Sequence, residues 1–150
     1  AQLVAVADMF PERIEPCLET LRTELGPERV DRLRVTPETT FTGFDGYLRV
    51  IETCDVVILA TPPHFRPLHL AAVAAAGKHC FCEKPVAVDA PGVRSVLESA
   101  RLMKDKGLAL ASGFCWRANA GNRELYERVL AGQIGDVQAV YSTYLTGPIG

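Results

Sequence analysis

The sequence lacks the features that mark several large classes of protein. Its 150 residues contain no apolar run that approaches the roughly 18 residues a membrane-spanning helix needs. Basic residues are not in surplus, because 16 Lys and Arg stand against 18 Asp and Glu, for a net charge of −2. We therefore expect neither nucleic acid nor an anionic membrane as a partner. With 12 Gly and 10 Pro, the composition also excludes a collagen-like or low-complexity chain.

Metal-binding and hydrolytic motifs are absent as well. The five cysteines are an odd number without zinc-finger spacing, so we expect no metal and interpret them as small buried side chains in a reducing compartment. The sequence contains no G-x-x-x-x-G-K-[ST], H-E-x-x-H or G-x-S-x-G motif. The phosphate-binding G-x-G-x-x-G loop is also missing.

Two periodicities alternate along the chain. Short apolar runs predict strands at residues 3–7, 39–42, 55–61, 79–83 and 108–111. Helical spacing predicts helices after Pro11, around Tyr47, before Gly77, after Asp89 and after Asn119. This alternation is typical of the α/β class, with a doubly wound parallel sheet that helices cover on both faces.

The end of the chain follows a different pattern. Residues 137–145 place alternate apolar side chains on one face, which predicts a longer strand of an open mixed sheet. We therefore expect a boundary near Ala118, with the parallel domain at residues 1–118 and the start of an α+β substrate domain at 119–150. Ala1 leads directly into a predicted strand, so we expect the chain to begin inside a longer protein. No signal peptide is visible, which predicts a cytoplasmic location.

Polar residues collect where the predicted strands end, and ligands of doubly wound sheets bind at that edge. Asp8 has two interpretations there: its carboxylate binds a ribose diol and repels a 2′-phosphate, favouring NAD over NADP, or it starts the helix at Pro11. Lys84 is either a proton donor and acceptor beside a nicotinamide or an ordinary surface lysine. Trp116 either stacks on a flat ring or belongs to the core, and Arg117 either binds an anion or forms a surface ion pair.

The same strand ends carry a resemblance to a known family. The run Thr61-Pro62-Pro63-His64, followed by the segment AGKHCFCEKP at 76–85, resembles the signature of the Gfo/Idh/MocA family (glucose–fructose oxidoreductase, inositol dehydrogenase, rhizopine catabolism). Residues 113–117 and 131–137 are similar to later markers of that family, in the same order. The resemblance extends over essentially the whole chain.

The resemblance implies an N-terminal Rossmann domain that holds NAD(P), and hydride transfer to or from a hydroxyl of a sugar or polyol. It implies that Lys84 is the catalytic residue and that the full-length protein is a dimer or tetramer. The cofactor-binding residues implied are Asp8, Thr61, Pro62, His64, Glu83, Lys84, Pro85, Trp116 and Arg117. The chain is then expected to lack the first βα unit, with its glycine loop, and most of the C-terminal domain.

Two departures and several alternatives accompany this resemblance. Arg66 stands where many members have histidine, and Pro63 replaces a frequent asparagine. The alternative functions are a glycoside hydrolase that uses NAD without net redox, and a cofactor-binding scaffold without catalysis. Residues 61–66 and 113–117 also resemble a subgroup with twin-arginine export signals, so the alternative location of the full-length protein is the periplasm.

Overall fold

The computed structural model describes residues 1–145 and 147, which form two compact units. The first unit comprises Ala1–Gly113 and the second Phe114–Gly150. The division therefore precedes the expected boundary near Ala118. The short helix at Cys115–Ala118 packs against the helix that follows it, which is why it groups with the second unit.

Strands and helices alternate through the first unit. In chain order they are β1 (Val6–Asp8), α1 (Pro11–Leu25), β2 (Thr40–Thr42), α2 (Gly46–Thr53), β3 (Val56–Leu59), α3 (Arg66–Ala75), β4 (His79–Cys82), α4 (Ala90–Asp105) and β5 (Leu110–Ser112). Two single-turn 3₁₀ segments separate α1 from β2. The second unit contains α5 (Cys115–Ala118) and α6 (Ala120–Leu130). All the helices predicted from periodicity are confirmed.

Every strand pairing in the described chain is parallel, as the sequence pattern predicts. The strands form two sheets, β1–β2 and β3–β4–β5, in which neighbouring strands are linked by helical crossovers. The register places Asp8 opposite Thr42 in the first sheet and Leu59 opposite Cys82 in the second. Parallel registers bring the carboxyl ends of neighbouring strands to the same edge, so residues that follow β3 and β4 become neighbours.

The core lies between the β3–β4–β5 sheet and the helices α3 and α4. Alternate strand residues point into it, including Val57 and Leu59 of β3. Leu70, Val73 and Met103 from the two helices have no accessible surface at all. This packing fixes the second sheet rigidly, because close-packed side chains leave no space for the strands to shift.

The opposite face of this sheet is different. Val56 and Ile58, which alternate with the buried residues of β3, are 56% and 66% exposed. In the described residues, helical cover on this sheet is therefore seen on one face, whereas cover on both faces was expected. The strand periodicity of two explains both observations, since it presents apolar side chains to each face in turn.

Local sequence signals explain where the helices begin and end. Pro11 occupies the first turn of α1, and Gly26 ends it with a φ of 65° that favours glycine. The Asp89 carboxylate accepts a 2.7 Å hydrogen bond from the Gly92 N–H at the start of α4. Asn119 caps α6 in the same way, through a 3.0 Å bond from the Asn122 N–H. Both caps confirm predictions made from residue type.

The strand expected at 137–145 is not formed, and that prediction was wrong for this structure. Described residues after α6 have no strand, and those from 133 to 145 are exposed. A strand forms only through hydrogen bonds to a neighbour, and no described residue of the second unit supplies one. In addition, no helix in the described chain has both the length and the apolar character needed to cross a membrane.

The five cysteines are free thiols in three kinds of environment, and their interpretation as buried side chains was wrong for Cys17, Cys54 and Cys115. Cys17 and Cys115 are exposed, Cys54 is half-buried, and Cys80 and Cys82 are buried in β4. Burial raises the pKa of the Cys80 thiol to about 12, and it raises the pKa of Cys82 as well. These two residues therefore behave as small apolar side chains, not as nucleophiles.

Candidate functional site

The candidate site is the edge of the sheet formed by the carboxyl ends of β3 and β4. The pairing of the two strands extends one residue beyond the register, because the Glu83 N–H donates to the Leu59 carbonyl at 2.9 Å. The chain then continues into Lys84 and Pro85 on one side and Thr61 and Pro62 on the other. Four predicted site residues thus follow two adjacent strands.

A buried arginine connects these two strand ends. Arg66, in the first turn of α3, is only 5% exposed. Its Nε donates to the Thr61 carbonyl at 2.8 Å, and its Nη1 donates to the carbonyls of Glu83 and Pro85, the first at 2.9 Å. The latter two residues flank Lys84 in the chain. The guanidinium therefore holds the backbone on both sides of Lys84 and ties it to the end of β3.

Glu83 provides a further constraint on the same segment. Its Oε2 accepts a 3.0 Å hydrogen bond from the Lys84 N–H. The carboxylate lies directly against Gly113, where the Cβ of a larger residue would displace it from this position. Gly113 is itself held by a 3.0 Å bond from its N–H to the Cys82 carbonyl. Glu83 thus orients backbone groups within this site.

Lys84 itself is exposed, in contrast to the backbone that carries it. Within residues 1–145 and 147, no hydrogen bond or ion pair engages its Nζ. The Lys84–Pro85 peptide bond is cis. A primary amine on a fixed backbone, with its donors uncommitted, is suited to binding an oxygen atom of a ligand.

An aromatic stack lies beneath Thr61. The Oγ1 of Thr61 lies 3.2 Å from Nδ1 of His69. The His69 ring stacks on the Tyr47 ring, with the ring centroids 4.0 Å apart. Phe65 lies on the same imidazole at 5.9 Å, nearly parallel. Burial lowers the pKa of His69, which favours the neutral ring. This position favours a structural role for His69.

Asp8 lies at the corresponding end of β1, in the other sheet. Its Oδ1 accepts a 2.9 Å hydrogen bond from the Phe10 N–H, so the carboxylate shapes the turn that leads into α1. Phe10 is the N-cap of that helix and has no side-chain capping bond. No described residue bonds to the second carboxylate oxygen. The geometry therefore supports the helix-start interpretation and still leaves one oxygen for a ligand.

The remaining predicted residues are at the surface. Pro62 and His64 are exposed in the turn before α3, where the edge of the His64 ring faces Phe65 at 5.5 Å. Trp116 and Arg117 belong to the second unit. Trp116 is 70% exposed, so the core interpretation of this side chain was wrong. Arg117 lies over the Phe114 ring at 5.1 Å and forms no ion pair with any described residue.

Other parts of the described chain contain no comparable group of predicted site residues. Among residues 1–145 and 147, no three His, Cys, Asp or Glu side chains converge as metal ligands would. Two shallow clefts lie along α1, β2 and α2, and neither is lined by a predicted site residue. The edge of β3 and β4 is therefore the place in the first unit where most of the predicted site residues lie together.

Comparison with known proteins identifies the family. Residues 1–114 match the sequence model of the Gfo/Idh/MocA family, described as an oxidoreductase family with an NAD-binding Rossmann fold. The chain belongs to this family. Inositol 2-dehydrogenase of Rhizobium meliloti (strain 1021) is 29% identical over 143 residues, which are 95% of this chain and 37% of that protein. The chain thus spans little more than a third of this relative.

Solved structures of other oxidoreductases share the fold. Scyllo-inositol dehydrogenase from Lactobacillus casei, with bound NAD(H) and scyllo-inositol, has a TM-score of 0.64 at 22% identity, covering 89% of this chain and 34% of its own. A variant of KijD10, a 3-ketoreductase from Actinomadura kijaniata in complex with TDP-benzene and NADP, also has a TM-score of 0.64, at 20% identity and with 91% and 36% coverage. These likenesses confirm the Rossmann-type fold.

Sequence reasoning identified the residues at the strand ends but not what holds them in place. Arg66 was noted only as a departure from the family pattern, and Gly113 only as part of a marker segment. Tyr47 was placed in a helix without a role. The sole signal for Arg66 was a charged residue close to Pro67 at the start of an otherwise apolar helix, and arginine in that position is normally solvated.

Proposed function

We propose that this protein, in its full-length form, is an NAD-dependent oxidoreductase that transfers hydride between a sugar or polyol carbon and a nicotinamide. The observation that carries the proposal is the position of Lys84: an uncommitted amine on a backbone fixed by Arg66 and Glu83. It lies at the edge of a parallel sheet where dinucleotide ligands bind. The inositol dehydrogenases named above support a polyol or sugar as the substrate class.

The residues at this edge fit a dinucleotide. The half-buried Asp8 carboxylate retains an oxygen that can accept from a ribose hydroxyl, and its negative charge opposes a 2′-phosphate. Thr61, Pro62 and His64 would line the cofactor from the end of β3, with Glu83, Lys84 and Pro85 beside the nicotinamide. Trp116 and Arg117 are proposed for the nicotinamide end. We accordingly propose NAD as the cofactor in preference to NADP.

In this mechanism the chain orients the substrate and moves a proton. The bound cofactor supplies the hydride acceptor or donor. Lys84 Nζ holds the reacting oxygen, taking the hydroxyl proton when the carbon is oxidised and returning it when a carbonyl is reduced. The fixed backbone holds the Cα of Lys84 at the site, so only the side chain has to be ordered when the substrate binds. Homo-oligomerisation and a cytoplasmic location remain predictions.

The test is a Lys84→Ala substitution in the full-length natural protein, with myo-inositol and glucose as probe substrates. We expect turnover to fall by about 10²- to 10⁴-fold, the usual contribution of a general acid–base. NADH binding, followed by fluorescence titration, should be retained because the phosphate and ribose contacts are elsewhere. Lys104→Ala, at an exposed lysine of α4, is the matched control.

The outcomes separate the competing functions. NADH formed in proportion to the oxidised product supports the dehydrogenase, and full activity of Lys84→Ala would remove this residue from the mechanism. Cleavage of a glycoside without net NADH formation would identify the hydrolase instead. Cofactor binding without turnover of any polyol or sugar tested would favour the scaffold.

A further inference from the structure

We propose that Arg66 is a positioning residue for Lys84, holding the lysine backbone in the arrangement that the reaction needs. This inference rests on the proposed function of Lys84. Arg66 does not act on the substrate in this proposal; it acts through the peptide groups that flank the lysine. Three carbonyl oxygens carry the argument: those of Thr61, Glu83 and Pro85.

Two nitrogens of the Arg66 guanidinium make these contacts. Nε reaches the end of β3, and Nη1 reaches both carbonyls on either side of Lys84. A guanidinium is planar and presents donors in fixed directions, so one side chain can set the spacing between two strand ends. A lysine in the same place offers a single ammonium centre at the tip of a flexible chain.

The buried charge of Arg66 argues against a role limited to filling space. At 5% exposure it is a buried cation, and no Asp or Glu of the described chain forms an ion pair with it. Burial of an unpaired charge is costly, and here only neutral carbonyls compensate for it. Because this buried arginine donates to the carbonyls on both sides of Lys84, its contacts favour a role in ordering the backbone at that point.

Glu83 also helps to hold the backbone around Lys84. Its carboxylate accepts the Lys84 N–H, while Arg66 binds the Glu83 and Pro85 carbonyls. The peptide groups before and after the lysine are thus held from two directions. The lysine side chain remains uncommitted, so the order stops at the backbone and leaves the amine available to a ligand.

The experiment compares Arg66→Gln, Arg66→Lys and the control Arg94→Gln in the full-length natural protein. Arg94 is an exposed residue of α4. Two measurements are made: hydrogen exchange of the peptide that contains residues 83–88, and kcat and KM with myo-inositol. Circular dichroism and an NADH titration establish that each variant is folded and binds cofactor.

We expect Arg66→Gln to accelerate exchange in residues 83–88 by about tenfold, while β3 and β4 stay protected. We expect its kcat to fall by about a hundredfold, the cost of a small displacement in an active site, with the NADH dissociation constant nearly unchanged. Arg66→Lys should recover part of the loss, and Arg94→Gln should match the natural protein in both measurements.

Three results would overturn the inference. The first is a folded Arg66→Gln variant with natural kcat. The second is faster exchange throughout the sheet together with unchanged kcat per folded molecule, which would make Arg66 purely structural. The third is unchanged exchange in residues 83–88. If Arg66→Gln does not fold, Arg66→Lys decides on the same criteria. A natural protein without dehydrogenase activity would refute the proposed function itself, a result distinct from the other three.

Discussion

The two parallel sheets of the first unit end in functional side chains but support them differently. At the β3–β4 edge, a buried arginine and a carboxylate bind the backbone around Lys84, above a core whose central side chains are fully buried. At the β1 edge, Asp8 makes one hydrogen bond to a nearby turn, and its strand is only half-buried. A catalytic lysine needs a backbone that is held in place, as at the β3–β4 edge. A carboxylate that only discriminates between cofactors by its charge needs less support, as at the β1 edge.

The largest expected effect tests the packing beneath the β3–β4 edge. Leu70→Ala removes a side chain of α3 that has no accessible surface, so we expect a loss of about 3 kcal/mol in the free energy of unfolding. Leu68→Ala, on the same helix and 60% exposed, should stay within about 0.5 kcal/mol. Urea unfolding of both variants checks the difference, and equal losses would contradict the assignment of the core.

A smaller effect is expected at the β1 edge, where binding and not stability should change. Asp8→Asn removes the negative charge and retains the shape, so we expect the preference for NADH over NADPH to fall by about tenfold. Parallel titrations with both cofactors measure this ratio. Asp45→Asn, an exposed aspartate before α2, serves as the control. An unchanged ratio for Asp8→Asn would leave Asp8 with its helix-start role alone.

The smallest expected effect concerns pH and the histidine beneath Thr61. Burial lowers the pKa of His69, so between its folded value and its ordinary value near 6.5 the unfolded chain binds more protons. His69 therefore contributes a loss of stability as pH falls below about 6.5, and none above it. Urea unfolding at pH 5 and pH 7 should show a weaker pH dependence in His69→Gln than in the natural protein.

His64 supplies the matched comparison for this experiment. It is exposed in the turn before α3, so His64→Gln should retain the pH dependence of the natural protein. If His64→Gln reduced the dependence and His69→Gln did not, the assignment of the buried titrating ring would be reversed.

The order and type of the elements were predictable because each depends on local chemistry. Pro11 and Asp89 act within one turn of the chain, so the sequence alone places the starts of α1 and α4 where they are observed. The strands are shorter than their apolar runs, because pairing and not composition determines where a strand ends. Residues 137–145 illustrate the same dependence on pairing. Their alternating apolar side chains fit a strand, but the strand does not form without a neighbour to pair with.

The site was predictable as a set of residues but not as a supported structure. Thr61, Glu83 and Lys84 follow strands, and parallel topology brings strand ends together, so their proximity followed from pattern and resemblance. The inward turn of Arg66 depends on carbonyls that lie 5, 17 and 19 residues from it in the chain. No local rule of spacing encodes such contacts. Gly113 is comparable, because its importance lies in the carboxylate that rests against it.

The reactivity of the five thiols reports whether the second sheet is folded. A water-soluble disulfide reagent would react readily with Cys17 and Cys115, which solvent reaches directly, and more slowly with Cys54. Cys80 and Cys82 lie in the central strand of the second sheet and become reactive only when that sheet opens. A simple colorimetric count of thiols thus distinguishes an intact sheet from a ruptured one without any added label.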